Sequence, residues 1–154
     1  IHIKQDNTRT SFSTHTQVLA APDCETFYEV YRNDDEPESL TSTEFTLPKD
    51  MTVRLAVGHQ HTGALNISIY KNDEFICASR PRYGKKDGMV GNERGYLVQM
   101  SHCIDEASGP LVLKKGDKVR LESYYYVGSH DPRLAYSDGT HLNVMAYMYI
   151  GYED

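Results

Sequence analysis

Tryptophan is absent from this chain of 154 residues, cysteine occurs only three times, and no helical run of apolar residues approaches the roughly 18–20 needed to cross a bilayer. Helical membrane spans and cysteine-dense scaffolds are thereby excluded. A surplus of positive charge is also lacking: 16 Lys and Arg stand against 22 Asp and Glu, giving a net charge of −6. With the cations scattered along the chain, a phosphate backbone is repelled, so nucleic acid is not an expected partner. There is no Gly-x-Ser-x-Gly elbow, no glycine-rich phosphate loop, no H-E-x-x-H helix and no C-x-x-C pair. Asp34-Asp35-Glu36 reads as a solvated loop rather than a glycosidase carboxylate pair.

What is present describes a foldable globular chain, 39% hydrophobic, 10% aromatic and 25% charged, of a length that suits one domain. No window of ten residues carries a helical period, whereas alternation with period two recurs. Thr52–Val57 and Asn66–Tyr70 alternate, and Phe75–Ala78, Val119–Val127 and Val144–Ile150 are short β-branched or aromatic runs. Lys71-Asn72-Asp73-Glu74 and Lys114-Lys115-Gly116-Asp117 read as hairpin turns, and Arg32–Glu38 and Arg82–Glu93 as exposed loops. Many short strands between turn signals predict an all-β fold, an antiparallel β-sandwich. The chain opens on Ile1, and Asn66-Ile67-Ser68 fits the acceptor pattern for N-glycosylation, so a processed, secreted protein is expected.

The segment Val57-Gly58-His59-Gln60-His61-Thr62-Gly63 concentrates the chemistry. Residues i and i+2 of a strand share a face, so His59 and His61 can converge on one metal ion. They continue the phase of Val53, Leu55 and Val57, which predicts an inward-facing pair in need of a polar partner. His102 and His141 adjoin apolar strands and are candidates for a further or outer ligand, whereas His15 and His130 read as solvated turn residues. His2 would chelate copper weakly if Ile1 were the processed end. Thioethers are soft ligands that suit copper, above all in its reduced form, which makes Met100, Met145 and Met148 candidates. Met148 shares the core phase of Leu142, Val144, Ala146 and Ile150, whereas Met145 falls on the opposite phase with His141, Asn143, Tyr147 and Tyr149.

In order and spacing, the landmarks R-L-A-V-G-H-Q-H-T-G, I-S-I-Y-K-N-D-E-F-I-C, G-Y-L-V-Q-M-S-H-C, L-K-K-G-D-K-V-R-L and N-V-M-A-Y-M-Y-I-G-Y cover about two thirds of the chain. They resemble the catalytic-copper domain of the copper type II, ascorbate-dependent monooxygenases, and more closely the single-domain stress up-regulated nodulin-like proteins. The resemblance implies a jelly-roll-like sandwich spanning 1–154, with N-terminal strands and loops in 1–50 and the monooxygenase-like core in 51–152. It implies a copper ion held by His59, His61 and Met145, and a disulfide between Cys77 and Cys103 that leaves Cys24 outside the pair. The monooxygenases carry a second copper on a separate domain; residues 1–50 are too short to form it, so neither the two-copper mechanism nor the family's substrates are transferred.

Two classes of function follow. The first is a mononuclear copper protein, with a small-molecule reductant, oxygen or peroxide as partners if it is redox-active; an aromatic-walled cleft would favour an enzyme and a closed site would favour storage. The second is a secreted, non-catalytic module that binds glycan or protein through Tyr124-Tyr125-Tyr126 and nearby loops. A zinc hydrolase is disfavoured, because methionine is a poor zinc ligand and no carboxylate is spaced to work beside the histidines.

Overall fold

The computed structural model describes residues 14–23, 25–128 and 141–154, the last segment without the side chains of residues 141 and 142. Its strands run in the order β1 (Thr14–Ala20), β2 (Tyr28–Tyr31), β3 (Glu38–Thr46), β4 (Met51–Gln60), β5 (Ala64–Lys71), β6 (Glu74–Ser79) and β7 (Pro81–Tyr83). There follow β8 (Leu97–Met100), β9 (His102–Ile104), β10 (Leu111–Leu113), β11 (Lys118–Tyr126), β12 (His141–Val144) and β13 (Ala146–Glu153). No helix among the described residues is long and apolar enough to cross a membrane.

Two antiparallel sheets make the sandwich. One has the order β1-β13-β4-β10 with β9 also paired to β4, and the other the order β3-β11-β5-β6. Two-stranded ladders, β12 with β2 and β7 with β8, complete the fold. The alternation visible in the sequence becomes the core: Val119, Leu121, Ser123 and Tyr125 of β11 and Ile67 and Ile69 of β5 point inward and are buried. They face Val53 and Ala56 of β4 and Ala146, Met148 and Ile150 of β13. A second, smaller cluster of Val30, Ala64, Tyr125, Val127 and Val144 lies where the two short ladders meet the ends of β5 and β11.

Of the two expected hairpins, one forms. Asn72 and Asp73 both take positive φ, 50° and 68°, the mirror-image two-residue turn whose twist suits a hairpin, and β5 pairs directly with β6. The Lys114–Asp117 turn does something else. β10 pairs with β4 while β11 pairs with β3 and β5, so this turn carries the chain from one sheet to the other. Leu113 and Val119, on its two sides, are both buried in the core between the sheets. Side-chain alternation is the same in a hairpin and in an arch, so period alone does not separate them.

A bulge in β4 matters most for function. Val53 pairs with Tyr152 and Leu55 with Gly151, which leaves Arg54 as the extra residue. Both Arg54 and Leu55 are exposed, and the inward positions resume at Ala56, Gly58 and Gln60. His59 therefore stands on the outer face of its sheet, and the inward row expected from Val53, Leu55 and Val57 is broken at Arg54. Gly58 lies beneath it: a Cβ there would sit 2.4 Å from Ile67 Cγ2 and 2.9 Å from Ser79 Oγ, so only glycine fits. The Gly58 N–H donates to Ser79 Oγ at 2.9 Å.

Cys77 in β6 and Cys103 in β9 form a disulfide, with Cα atoms 5.3 Å apart, that ties one sheet to the other. Cys24 lies outside the described residues. The bridge spans 26 residues, and losing it from the unfolded ensemble costs about 3 kcal/mol in the chain-entropy account. A Cys77→Ser/Cys103→Ser variant is expected to unfold at lower denaturant concentration by that amount, and reductant is expected to lower the midpoint of the native chain but not of the variant.

Candidate metal centre

His59 near the end of β4 and His61 just beyond it bring their ring centroids to 5.7 Å, inclined at 79°. Metal–nitrogen bonds of about 2.0–2.1 Å place two imidazoles on one ion with centroids within roughly 6 Å of each other, so the pair is spaced to share a cation. Tyr147, the cross-strand partner of His59, stacks on its ring at 6.1 Å, and Tyr149 meets it edge-on at 6.0 Å. Phe27 approaches the His61 ring at 6.5 Å. Phe27 is 53% exposed and Tyr149 43%, so the histidines lie on an open face with aromatic walls.

Met145 falls between β12 and β13. Because Ala146 pairs with Gln60, Met145 occupies the position next to His61, on the same side of its chain as Tyr147 and Tyr149. The two backbones are tied from below by a residue that the sequence had suggested for a surface. Tyr125 has no exposed area, and its hydroxyl accepts the His61 N–H at 2.7 Å and donates to the Met145 carbonyl at 2.6 Å. Burial pushes its phenol far above the ordinary range, with the His61 N–H acting in the opposite sense, so it remains a neutral donor and acceptor. Its place was legible in the alternation Val119, Leu121, Ser123, Tyr125, Val127. Tyr124 and Tyr126 fall on the other phase and are half-buried, so the three tyrosines do not form one exposed patch.

Gln60, between the two histidines, points inward and is 4% exposed. Its Nε2 donates to the Asn66 carbonyl at 3.1 Å and to Ser123 Oγ at 2.9 Å, while its buried Oε1 has no hydrogen-bond partner among the described residues. Ser123 Oγ also lies 3.3 Å from Tyr28 Oη. A short polar chain thus runs through the core under the histidine face.

The other candidates are dispersed. His102, opposite Val57, is exposed; its Nδ1 lies 3.6 Å from Asp105 Oδ2, and it lines an open cleft of about 660 Å³ with Arg54, Leu55, Asp105, Glu106 and Pro110. His141 pairs through its backbone with Tyr31, and its side chain is outside the described residues, as are His2 and His130. His15 is not a turn residue: it lies in β1, its Nε2 3.2 Å from Asp154 Oδ2. Among the described residues, no group of three or more His, Cys, Asp or Glu is arranged to hold a metal. A three-ligand site at His59 and His61 would therefore need a donor of another kind, and the backbone of Met145, whose thioether is such a donor, runs beside that of His61.

An all-β sandwich with a His-x-His pair on the outer face of one sheet is the class that fold and site define. The family model described as Stress up-regulated Nod 19 matches residues 2–152, and the chain belongs to that family. A search among curated proteins finds no match. Among solved structures, the VP2 subviral particle of infectious bursal disease virus is similar at 11% identity and a TM-score of 0.38, over 99% of this chain and 36% of that one. The catalytic unit of an α-1,3-glucanase from Streptomyces thermodiastaticus is similar at 13% identity and a TM-score of 0.32, over 93% of this chain and 26% of that one. The chain thus spans well under half the length of either, and likeness at this level carries nothing about activity.

Two outcomes test the geometry. Tyr125→Phe removes one buried donor and acceptor and is expected to cost about 1–3 kcal/mol in denaturant unfolding. The His61 imidazole is held below its ordinary value of 6.5, first by burial and then by the charge of His59, against a hydrogen bond with the Asn143 backbone. Below 6.5 the unfolded chain therefore takes up a proton that the folded chain resists. Its contribution to stability is full above that pH and is lost as pH falls toward the lower folded value. In an NMR titration the His61 midpoint is expected below that of a model peptide and to rise in His59→Ala.

Proposed function

We propose that the chain is a mononuclear copper protein in which His59, His61 and Met145 hold the ion on the open face of the β13-β4 ladder. The observation that carries this reading is the Tyr125 hydroxyl, which binds the backbones of His61 and Met145 at 2.7 and 2.6 Å and so fixes two of the three ligand-bearing segments side by side. The donor set supports copper over harder cations: two neutral imidazoles accept either oxidation state, and a thioether favours the reduced one. The depressed basicity of His61 keeps its nitrogen available near neutral pH.

Copper bound there would supply one-electron chemistry toward oxygen or peroxide, with electrons drawn from an external small-molecule reductant. The chain's own residues set the surroundings. Tyr147 and Tyr149 hold the His59 ring in orientation, and the open aromatic face admits a small molecule, which favours a redox role over closed storage. The resemblance of the sequence landmarks to those of copper monooxygenases favours the same ligands, and the Cys77–Cys103 disulfide supports residence in an oxidising, extracellular setting. Exposed Phe27 and Tyr149 also suit the second reading, a non-catalytic module that takes glycan or protein on this face.

Copper titration followed by electron paramagnetic resonance separates the two. One tightly held, type-2-like copper with nitrogen couplings is expected, absent from His59→Ala/His61→Ala at unchanged circular dichroism. Met145→Leu is expected to retain the cupric signal and to weaken cuprous binding at least about tenfold. Copper uptake no tighter than that of the double variant would overturn the proposal and leave the binding-module reading.

A further inference from the structure

Between β7 and β8 the chain projects an arm, residues 84–96, that the proposed copper chemistry does not use. It is ordered by its own backbone. Lys85 and Lys86 N–H groups donate to the Asn92 carbonyl at 3.1 and 3.0 Å, Arg94 N–H to the Lys86 carbonyl at 3.0 Å, and Gly95 N–H to the Gly84 carbonyl at 3.1 Å. At the tip, Asn92 N–H closes a turn on the Met89 carbonyl at 3.0 Å, with Gly91 at φ 76°, a conformation that favours glycine at that corner. This turn holds Val90 94% exposed and Met89 47% exposed, and Tyr96 at the arm's base is 66% exposed. An ordered turn that presents an aliphatic pair to solvent gains nothing from it within the chain.

The charge around the tip is the reverse of the rest of the molecule. Residues 80–96 contain Arg80, Arg82, Lys85, Lys86 and Arg94 against Asp87 and Glu93, five cations less two acids, or +3, while the whole chain carries −6 and the remainder therefore −9. Arg94 is paired with Asp87 at 2.8 Å. Among the described residues, Arg80, Arg82, Lys85 and Lys86 make no ion pair within the chain, and all four are exposed. The scatter of cations suggested by the sequence thus conceals one local concentration.

We infer that this arm is a docking element for an anionic lipid surface, with Met89 and Val90 entering the headgroup boundary, Tyr96 at its level, and Arg80, Arg82, Lys85 and Lys86 on the acidic headgroups. The apolar tip selects a bilayer over a dissolved polyanion, and the cations select an anionic bilayer over a neutral one. The arm is also coupled to the histidine face. Tyr83, at its base, accepts the Gly63 N–H at 3.1 Å and donates to the Ala64 carbonyl at 2.8 Å, which fixes the turn that follows His61.

The test is co-sedimentation of the full chain with vesicles of phosphatidylcholine alone or mixed with phosphatidylserine, and it is independent of copper. Binding is expected to the mixed vesicles only, to fall with added salt, and to drop at least about tenfold in Lys85→Glu/Lys86→Glu. Met89→Ser/Val90→Ser is expected to weaken vesicle binding several-fold and to leave retention on immobilised polyglutamate unchanged. All four substitutions are at exposed positions, so thermal midpoints serve as the folding control. No preference for anionic vesicles, or vesicle binding indifferent to Met89 and Val90, would overturn the inference; the latter, with retention on polyglutamate, would assign the arm to an acidic polypeptide.

Discussion

A strand keeps its side chains on alternate faces until one residue is left unpaired, and in β4 that residue is Arg54. Before it, Val53 faces the core; after it, Ala56, Gly58 and Gln60 do, and His59 turns outward. Without the bulge both imidazoles would enter the core between the two sheets. With it, the same histidines lie on a face that solvent and small molecules reach. The outward place of the candidate centre follows from that one unpaired position.

The interior beneath the site is polar in an otherwise dry core. Gln60, Ser123 and Tyr28 form one hydrogen-bonded chain, and Tyr125, whose ring meets that of Tyr28 edge-on, separately bonds the backbones of His61 and Met145. Buried hydroxyls and amides destabilise a core unless their partners are fixed, so the set also selects one arrangement of the strands over neighbouring registers. The two hydrogen bonds that satisfy the Tyr125 hydroxyl also align the segments that bear the proposed ligands.

Much of this architecture was legible in the sequence. The β5–β6 hairpin, the strands β4, β5, β11 and β13 and the sandwich itself follow from period-two patterning and from Asn-Asp turn chemistry. The pairing of Cys77 with Cys103 followed from family likeness rather than from period. What period could not show was pairing: the Lys114–Asp117 arch looks like a hairpin because alternation says nothing about which sheet a strand joins. The bulge was hidden for a related reason, since Arg54 and Leu55 continue a regular pattern and the interruption appears only against Gly151 and Tyr152 of the partner strand. Tyr125 shows the converse, a residue whose inward phase was readable but was masked by its two tyrosine neighbours.

Gly58 has a further consequence. Ile67 and Ser79, from the opposite sheet, fill the space where its side chain would be, so β4 is approached closely one residue away from His59. A layer in such contact has no room to yield. The backbone that carries His59 is therefore held in place by the opposite sheet, and what remains free beside it is the turning of side chains.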